Sequence, residues 1–373
     1  MQQYRHNTDS LKAHTAEAVE LLKEMIAIPS SSFNEDAVCE HISSWMRCRA
    51  IEHQRIGNNI IARHINDSSR PTLMLCAHID TVGPCEGYSF DPYEPDYTKA
   101  AEAVSMTIGA DVSPEEIVAG LGSNDDGASA VAMIAAYRQL LNDNINLTLV
   151  LTCEEERSGK GGMTGLWANR LNRIDYAIVG EPTAMKAATS ERGLLVIDAI
   201  AHGISGHAAR NEGKNALYIA LEDIEKLRRH EFARISPRMG KVNLNVTQIN
   251  AGTAHNVIPD TCSFVIDIRP TEQYTNEEIL EELQKICSSE LKPRNLSNRS
   301  SATYEGSPLQ KRAEAMGIET FSSPTTSDWM RISCDAIKMG PGDSSRSHRK
   351  DEFVLVSEIS EAIKTYTEFI RNL

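Results

Sequence analysis

Short apolar runs that stop at a histidine or a carboxylate, with helical periods between them, constrain this chain more than any other feature. Thr72 to Ala77 runs straight into His78. Leu147 to Cys153 stops at Glu154, Glu155 and Glu156, and Tyr176 to Val179 stops at Gly180-Glu181. Such runs are strand-sized, and the Ala-rich stretch 128–142 between two of them is helix-like. Strands alternating with helices predict an α/β sheet, mostly parallel. In such a sheet ligands bind beyond the carboxyl ends of the strands, so these acids and histidines fall where a site is expected.

Residues 10–28 and 36–50 read as helices, Asn58 to His64 as a strand and Gly161 to Asn169 as a helix. The pattern changes after about residue 187. Leu194 to Ala201, Val242 to Asn250 and Thr261 to Ile268 read as strands, and Asn215 to Arg229 and Asn276 to Cys287 as helices. This is an α+β unit with its own small sheet. Helices over 307–316 and 356–371 then follow. A chain of 373 residues exceeds one ordinary core. The expectation is a catalytic domain in two segments, 1–186 and 303–373, with a second domain, 187–302, inserted between them. The acidic, Ala-rich stretch 96–119 reads as a surface insertion.

A net charge of -14 argues against nucleic acid or an anionic membrane as the main partner. No apolar run approaches the roughly 20 residues that span a bilayer, and the first residues lack the apolar stretch of a secretory signal. Eight cysteines without CxxC spacing fit reduced thiols in a cytoplasmic protein.

Five segments carry the chemistry. His78 leaves its strand with Asp80 two residues on, close enough to orient a metal-bound imidazole. Gly120-Leu121-Gly122-Ser123-Asn124-Asp125-Asp126-Gly127 puts two acids in a glycine turn before a helix, and no Gly-Lys-Ser/Thr follows to make a phosphate loop. The glutamate run, Gly180-Glu181-Pro182-Thr183 and the stretch from Gly340 through His348 to Glu352-Phe353 complete the set. Singly each has an ordinary reading: a satisfied histidine, a helix cap, a solvated turn. Together they offer two histidines and several carboxylates, a donor set suited to catalytic zinc. Two ions would need a shared carboxylate.

With HIDTV, GLGSNDDG, CEEE, GEPT, SGHAAR, NVIPD, TSD and GPGDSSRSHRKDEF in this order, the chain resembles the zinc-dependent family of acetylornithine deacetylase, succinyl-diaminopimelate desuccinylase and aminoacylase, from about residue 15 onward. The acetylornithine deacetylase branch is the expected one. The resemblance implies two divalent ions, zinc or alternatively cobalt. It implies Asp125 as the bridge, His78 and Glu181 at one ion, and Glu156 and His348 at the other. Glu155 would be general base and acid, with Asp80 orienting His78. The inserted domain would cover the site and carry a homodimer contact. His207 there would stabilise the oxyanion, and Asn256 and Arg269 would hold the substrate carboxylate. The implied reaction is deacylation of a small N-acyl amino acid: N-acetylornithine first, with N-succinyl or N-acetylcitrulline substrates or dipeptides as alternatives. A non-catalytic metal-bound protein is the remote reading. The chain departs from the family pattern at Gly127, at Glu154 and in the absence of prolines from Ala208-Ala209-Arg210.

Overall fold

The computed structural model describes residues 2–171, 173–210 and 212–373. They form two compact units. The first holds the described residues up to Thr189 with Thr303–Phe321 and Ser327–Leu373; the second holds Ser190–Ala302 and Ser322–Thr326.

The sheet of the first unit is parallel in its centre. Asn146–Thr152, Thr72–His78, Tyr176–Val179 and Asp335–Lys338 lie side by side and pair in parallel. Asn59–His64 and Gln54–Ile56 extend one edge and Ala187–Glu191 the other, all antiparallel. Thr72–His78 and Asn146–Thr152 are buried along their whole length. A strand covered on both faces reads as an unbroken apolar run rather than an alternating one. Its side chains still alternate between faces. Leu73, Leu75 and Ala77 join the core under the helices Gln2–Ile26, Ala128–Leu140 and Val356–Arg371. Met74 and Cys76 join the opposite core, with Met163, Leu166 and Trp329.

The helix Ala128–Leu140 has buried residues all round, which is why it lacks a polar face and is rich in alanine. The helix Gln2–Ile26 begins well before the apolar stripe at Leu11 that signals it in the sequence. The stretch 96–119 is more than a surface insertion. Asp96 caps the helix Tyr97–Ile108, and Gly109 closes it in a left-handed conformation (φ 70). The strand Ile117–Ala119 then pairs antiparallel with Phe353–Leu355. Phe90, Ala100, Val104, Ile117 and Phe353 close a small core of their own. Small alanines face that core, so the sequence shows little apolar signal there.

The second unit is an antiparallel sheet in the order Asn243–Ala251, Thr261–Arg269, Leu195–His202, Glu290–Pro293. Leu195–His202 alternates buried and half-buried positions, as a sheet with one covered face does. Its covered face packs Ile197, Phe264 and Ile266 against Ala220 and Leu227 of the helix Ala216–Arg229 and Ile279 and Leu283 of the helix Asn276–Ile286. Among the described residues no helix is long and apolar enough to cross a membrane.

Candidate metal centre

The parallel strands of the first unit deliver their exits to one edge of the sheet. His78 is the last residue of Thr72–His78 and is buried. Its Nδ1 lies 2.9 Å from the main-chain oxygen of Asp80. A carbonyl only accepts, so Nδ1 donates and Nε2 is turned inward. That Nε2 lies 3.2 Å from Oδ1 of Asp125. The Asp80 carboxylate is 3.6 Å from Nδ1. Its closer partners are the main-chain N–H groups of Glu155 and Glu156, at 3.0 and 3.2 Å, and the Ser32 hydroxyl at 2.7 Å. Asp80 therefore ties the histidine strand to the glutamate turn as well as flanking the imidazole.

The glycine turn ahead of the helix Ala128–Leu140 brings in Asp125. Gly122 there has φ 78, and a Cβ on it would overlap Thr81, so the turn requires glycine. The Asp125–Asp126 peptide is cis. Oδ1 of Asp125 faces His78, and Oδ2 lies 3.6 Å from Nε2 of His348. Burial alone would raise the Asp125 carboxyl, but the two histidines hold it below its usual range.

The three consecutive glutamates have different surroundings. Glu154, with φ 59, turns back and accepts the Gly161 N–H at 2.8 Å. Glu156 lies 2.9 Å from His348. Burial holds the Glu155 carboxyl well above the carboxylate range; Asp328 and Glu156 add to this and His78 opposes it. Contact with Glu156 pushes the His348 imidazole up to about 9. Burial would lower His78, but Asp125 and Asp80 hold it well above its usual value. Glu181 follows Tyr176–Val179 directly, and burial with the nearby charge of Asp125 raises it well above the usual range.

Ligand atoms of His78, Asp125 and Glu156 lie within 4.8 Å of one another, and His348 is joined to the group through Glu156 and Asp125. Imidazole nitrogens with carboxylate oxygens suit a borderline divalent ion such as zinc. So many buried acids also call for a compensating cation. The residues present fit a metal centre, and the two Asp125 oxygens, one toward each histidine, fit a pair of ions.

Three further acids, each inside a segment quoted above but given no role there, belong to this region. Asp126 accepts the His78 N–H at 3.3 Å, and burial pushes its carboxyl up to about 8. Asp328 accepts the Thr152 hydroxyl at 2.6 Å, and burial raises it to about 6. Glu352 accepts the main-chain N–H groups of Gly122, Asn124 and Asp125 at 3.1, 3.0 and 2.9 Å. The motif through Glu352-Phe353 marked the segment, and the three N–H groups supply the role that the sequence left open.

The second unit holds His207, Asn256 and Arg269. The Gly206–His207 strand pairs with Val257–Ile258, and the Ala208 N–H donates to the Asn256 oxygen at 3.0 Å. His207 and Asn256 are thus neighbours, and both are exposed. Arg269 makes a two-pronged contact with Asp267, at 2.8 and 3.1 Å. Its guanidinium has an internal partner.

Two family patterns match the chain: Peptidase family M28 over residues 59–178 and the Peptidase dimerisation domain of the M20 group over residues 189–295. A dinuclear metal-binding peptidase of the M20 family from Bacillus subtilis superposes with a TM-score of 0.71 at 16% identity, covering 97% of this chain and 98% of that one. The chain has the M20 peptidase fold. A peptidase M20 domain-containing protein of Schizosaccharomyces pombe is 26% identical, over 94% of this chain and 84% of its own length. A succinyl-diaminopimelate desuccinylase of Wolbachia pipientis is 25% identical, over 95% of this chain and 92% of its own length. The chain is thus similar along nearly its whole length to a protein with a peptidase M20 domain and to a desuccinylase.

Proposed function

We propose that this protein is a metal-dependent amidohydrolase of the M20 type that releases the amine from a small N-acyl amino acid, with N-acetylornithine as the first substrate to try. The observation that carries the reading is Asp125, whose two oxygens face the imidazoles of His78 and His348. His78, Asp125 and Glu181 would hold one ion; Asp125, Glu156 and His348 would hold the other. Zinc suits these donors, and cobalt is the alternative. When bound, the pair supplies Lewis acidity to the scissile carbonyl and to the attacking water.

The remaining work falls to the protein. Glu155 is half-buried, and loss of solvent raises its carboxyl pKa. It takes a proton from water and returns it to the leaving amine, a role that favours a pKa near the working pH. Asp80 fixes Glu155 through the N–H that its Oδ1 accepts. His207 is assigned to the oxyanion and Asn256 to the substrate carboxylate. Arg269 joins Asn256 only by sharing or leaving Asp267. We assign the protein to the cytoplasm and to a homodimer formed through residues 187–302, in keeping with the dimerisation-domain match.

A second reading, desuccinylation, is favoured by the name of the Wolbachia relative. Amine release from N-acetylornithine, N-acetylcitrulline, N-succinyl-ornithine, N-succinyl-diaminopimelate and a few dipeptides, with and without EDTA, separates the readings. EDTA-sensitive release from one N-acyl substrate supports the proposal and names the acyl group. Release from dipeptides alone assigns the chain to peptide cleavage, and silence across the panel overturns the proposal.

A further inference from the structure

We infer that Glu352 and Asn124 are positioning residues that latch the Asp125 turn and the His348 segment to each other and so set the affinity of the metal centre. The inference rests on the metal-binding reading above. From one side, Glu352 receives three N–H groups: Gly122 on Oε2, and Asn124 and Asp125 on Oε1. Its main-chain oxygen accepts a fourth, from Gly120, at 2.9 Å. From the other side, the Asn124 side chain reaches the segment that carries His348. Its Oδ1 accepts the Asp343 N–H at 3.0 Å, and its Nδ2 donates to the Asp343 oxygen at 3.1 Å and the Ser347 hydroxyl at 3.3 Å. Gly342 has φ 79, and a Cβ there would overlap Asn124 Oδ1, so this chain passes close over the amide.

The latch has a clear object. Asp125 is held at its own N–H by Glu352, and Glu352 stands four residues after His348. His348 is about half exposed and has φ 56, a left-handed conformation that a non-glycine residue keeps only when its surroundings impose it. His78, by contrast, sits at the buried end of a central strand. The strand Phe353–Leu355, paired with Ile117–Ala119, anchors the latch from behind. Groups that orient metal ligands through hydrogen bonds change affinity without touching the ion.

The test uses the full chain, stripped of metal and titrated with zinc alone against a competing chromophoric chelator. Far-UV circular dichroism and the melting midpoint of the metal-free protein are followed in parallel. Glu352→Gln swaps one acceptor for an NH2 that opposes main-chain donors, and Asn124→Ala removes the reciprocal half. Each is expected to weaken zinc binding about 10–100-fold and to regain turnover when zinc is raised. Glu352→Asp, which keeps the carboxylate, is expected to regain part of the affinity. A role confined to stability would lower the melting midpoint and leave the zinc affinity of the folded protein unchanged. Wild-type zinc affinity in folded Glu352→Gln overturns the inference. If that variant does not fold, wild-type affinity in Asn124→Ala overturns it. Failure of the wild-type chain to bind zinc refutes the metal reading itself, a result distinct from variants that bind as well as wild type.

Discussion

His348 is the residue through which pH acts on this centre. Its imidazole is pushed up to about 9 by Glu156, yet a metal takes only the neutral ring. Below pH 9 the ion must displace a proton, so this group alone lowers apparent zinc affinity about tenfold per pH unit. Titration of the metal-free chain between pH 6 and 9 should show affinity rising with pH and flattening near 9. A flat profile would remove the Glu156–His348 contact from the account. The sign for stability is opposite. A raised imidazole pKa stabilises the metal-free fold below about 6.5, and that contribution is lost as pH rises through about 9. At this scale position in the sequence pointed to His78, Glu156 and Glu181 after apolar runs and to Asp125 in its glycine turn, while their roles came only with the family resemblance. The hydrogen bonds of Glu352 and Asp328 were not legible, because their partners are Asn124 and Thr152, more than 170 residues away in the chain. Long-range hydrogen bonds leave no local pattern.

The elements were legible where burial imposes a period. Thr72–His78 and Asn146–Thr152 show as unbroken apolar runs because both faces are covered. The helix Tyr97–Ile108 was hidden because alanines make its contact face. Another contact that local pattern cannot reveal joins the closing helix to the site loop. Tyr366, on Val356–Arg371, is buried and donates to the Met339 oxygen at 2.6 Å, directly before Gly340-Pro341-Gly342. Tyr366→Phe keeps the ring and strands that carbonyl. We expect a loss of about 1–3 kcal/mol of stability, read from urea unfolding of the metal-free chain. An unchanged unfolding midpoint would show that another donor satisfies Met339.

For the whole molecule, the chain leaves the first unit along Ala187–Glu191 and returns along Ser301–Ala302, and the two strands pair at Glu191 with Ser301 and Ser190 with Ala302. An insertion whose ends meet, and which has its own core from Leu195 to Leu291, meets the requirements for folding alone. Residues 190–302 expressed by themselves should give mixed α/β circular dichroism and one cooperative thermal transition. A chain that stays unfolded would show that this core depends on the rest of the protein.

All of this converges on Glu155 acting beside bound metal, and one variant tests that directly. Glu155→Gln keeps the shape of the turn and every ligand, and removes only the proton carrier. Measured together, its zinc content and its amine release from the best N-acyl substrate should show wild-type metal loading and a rate at least about 100-fold lower, since a positioned base contributes about 10²–10⁴-fold. Near-normal turnover by this variant, or turnover by the wild type that survives complete removal of metal, would contradict the account.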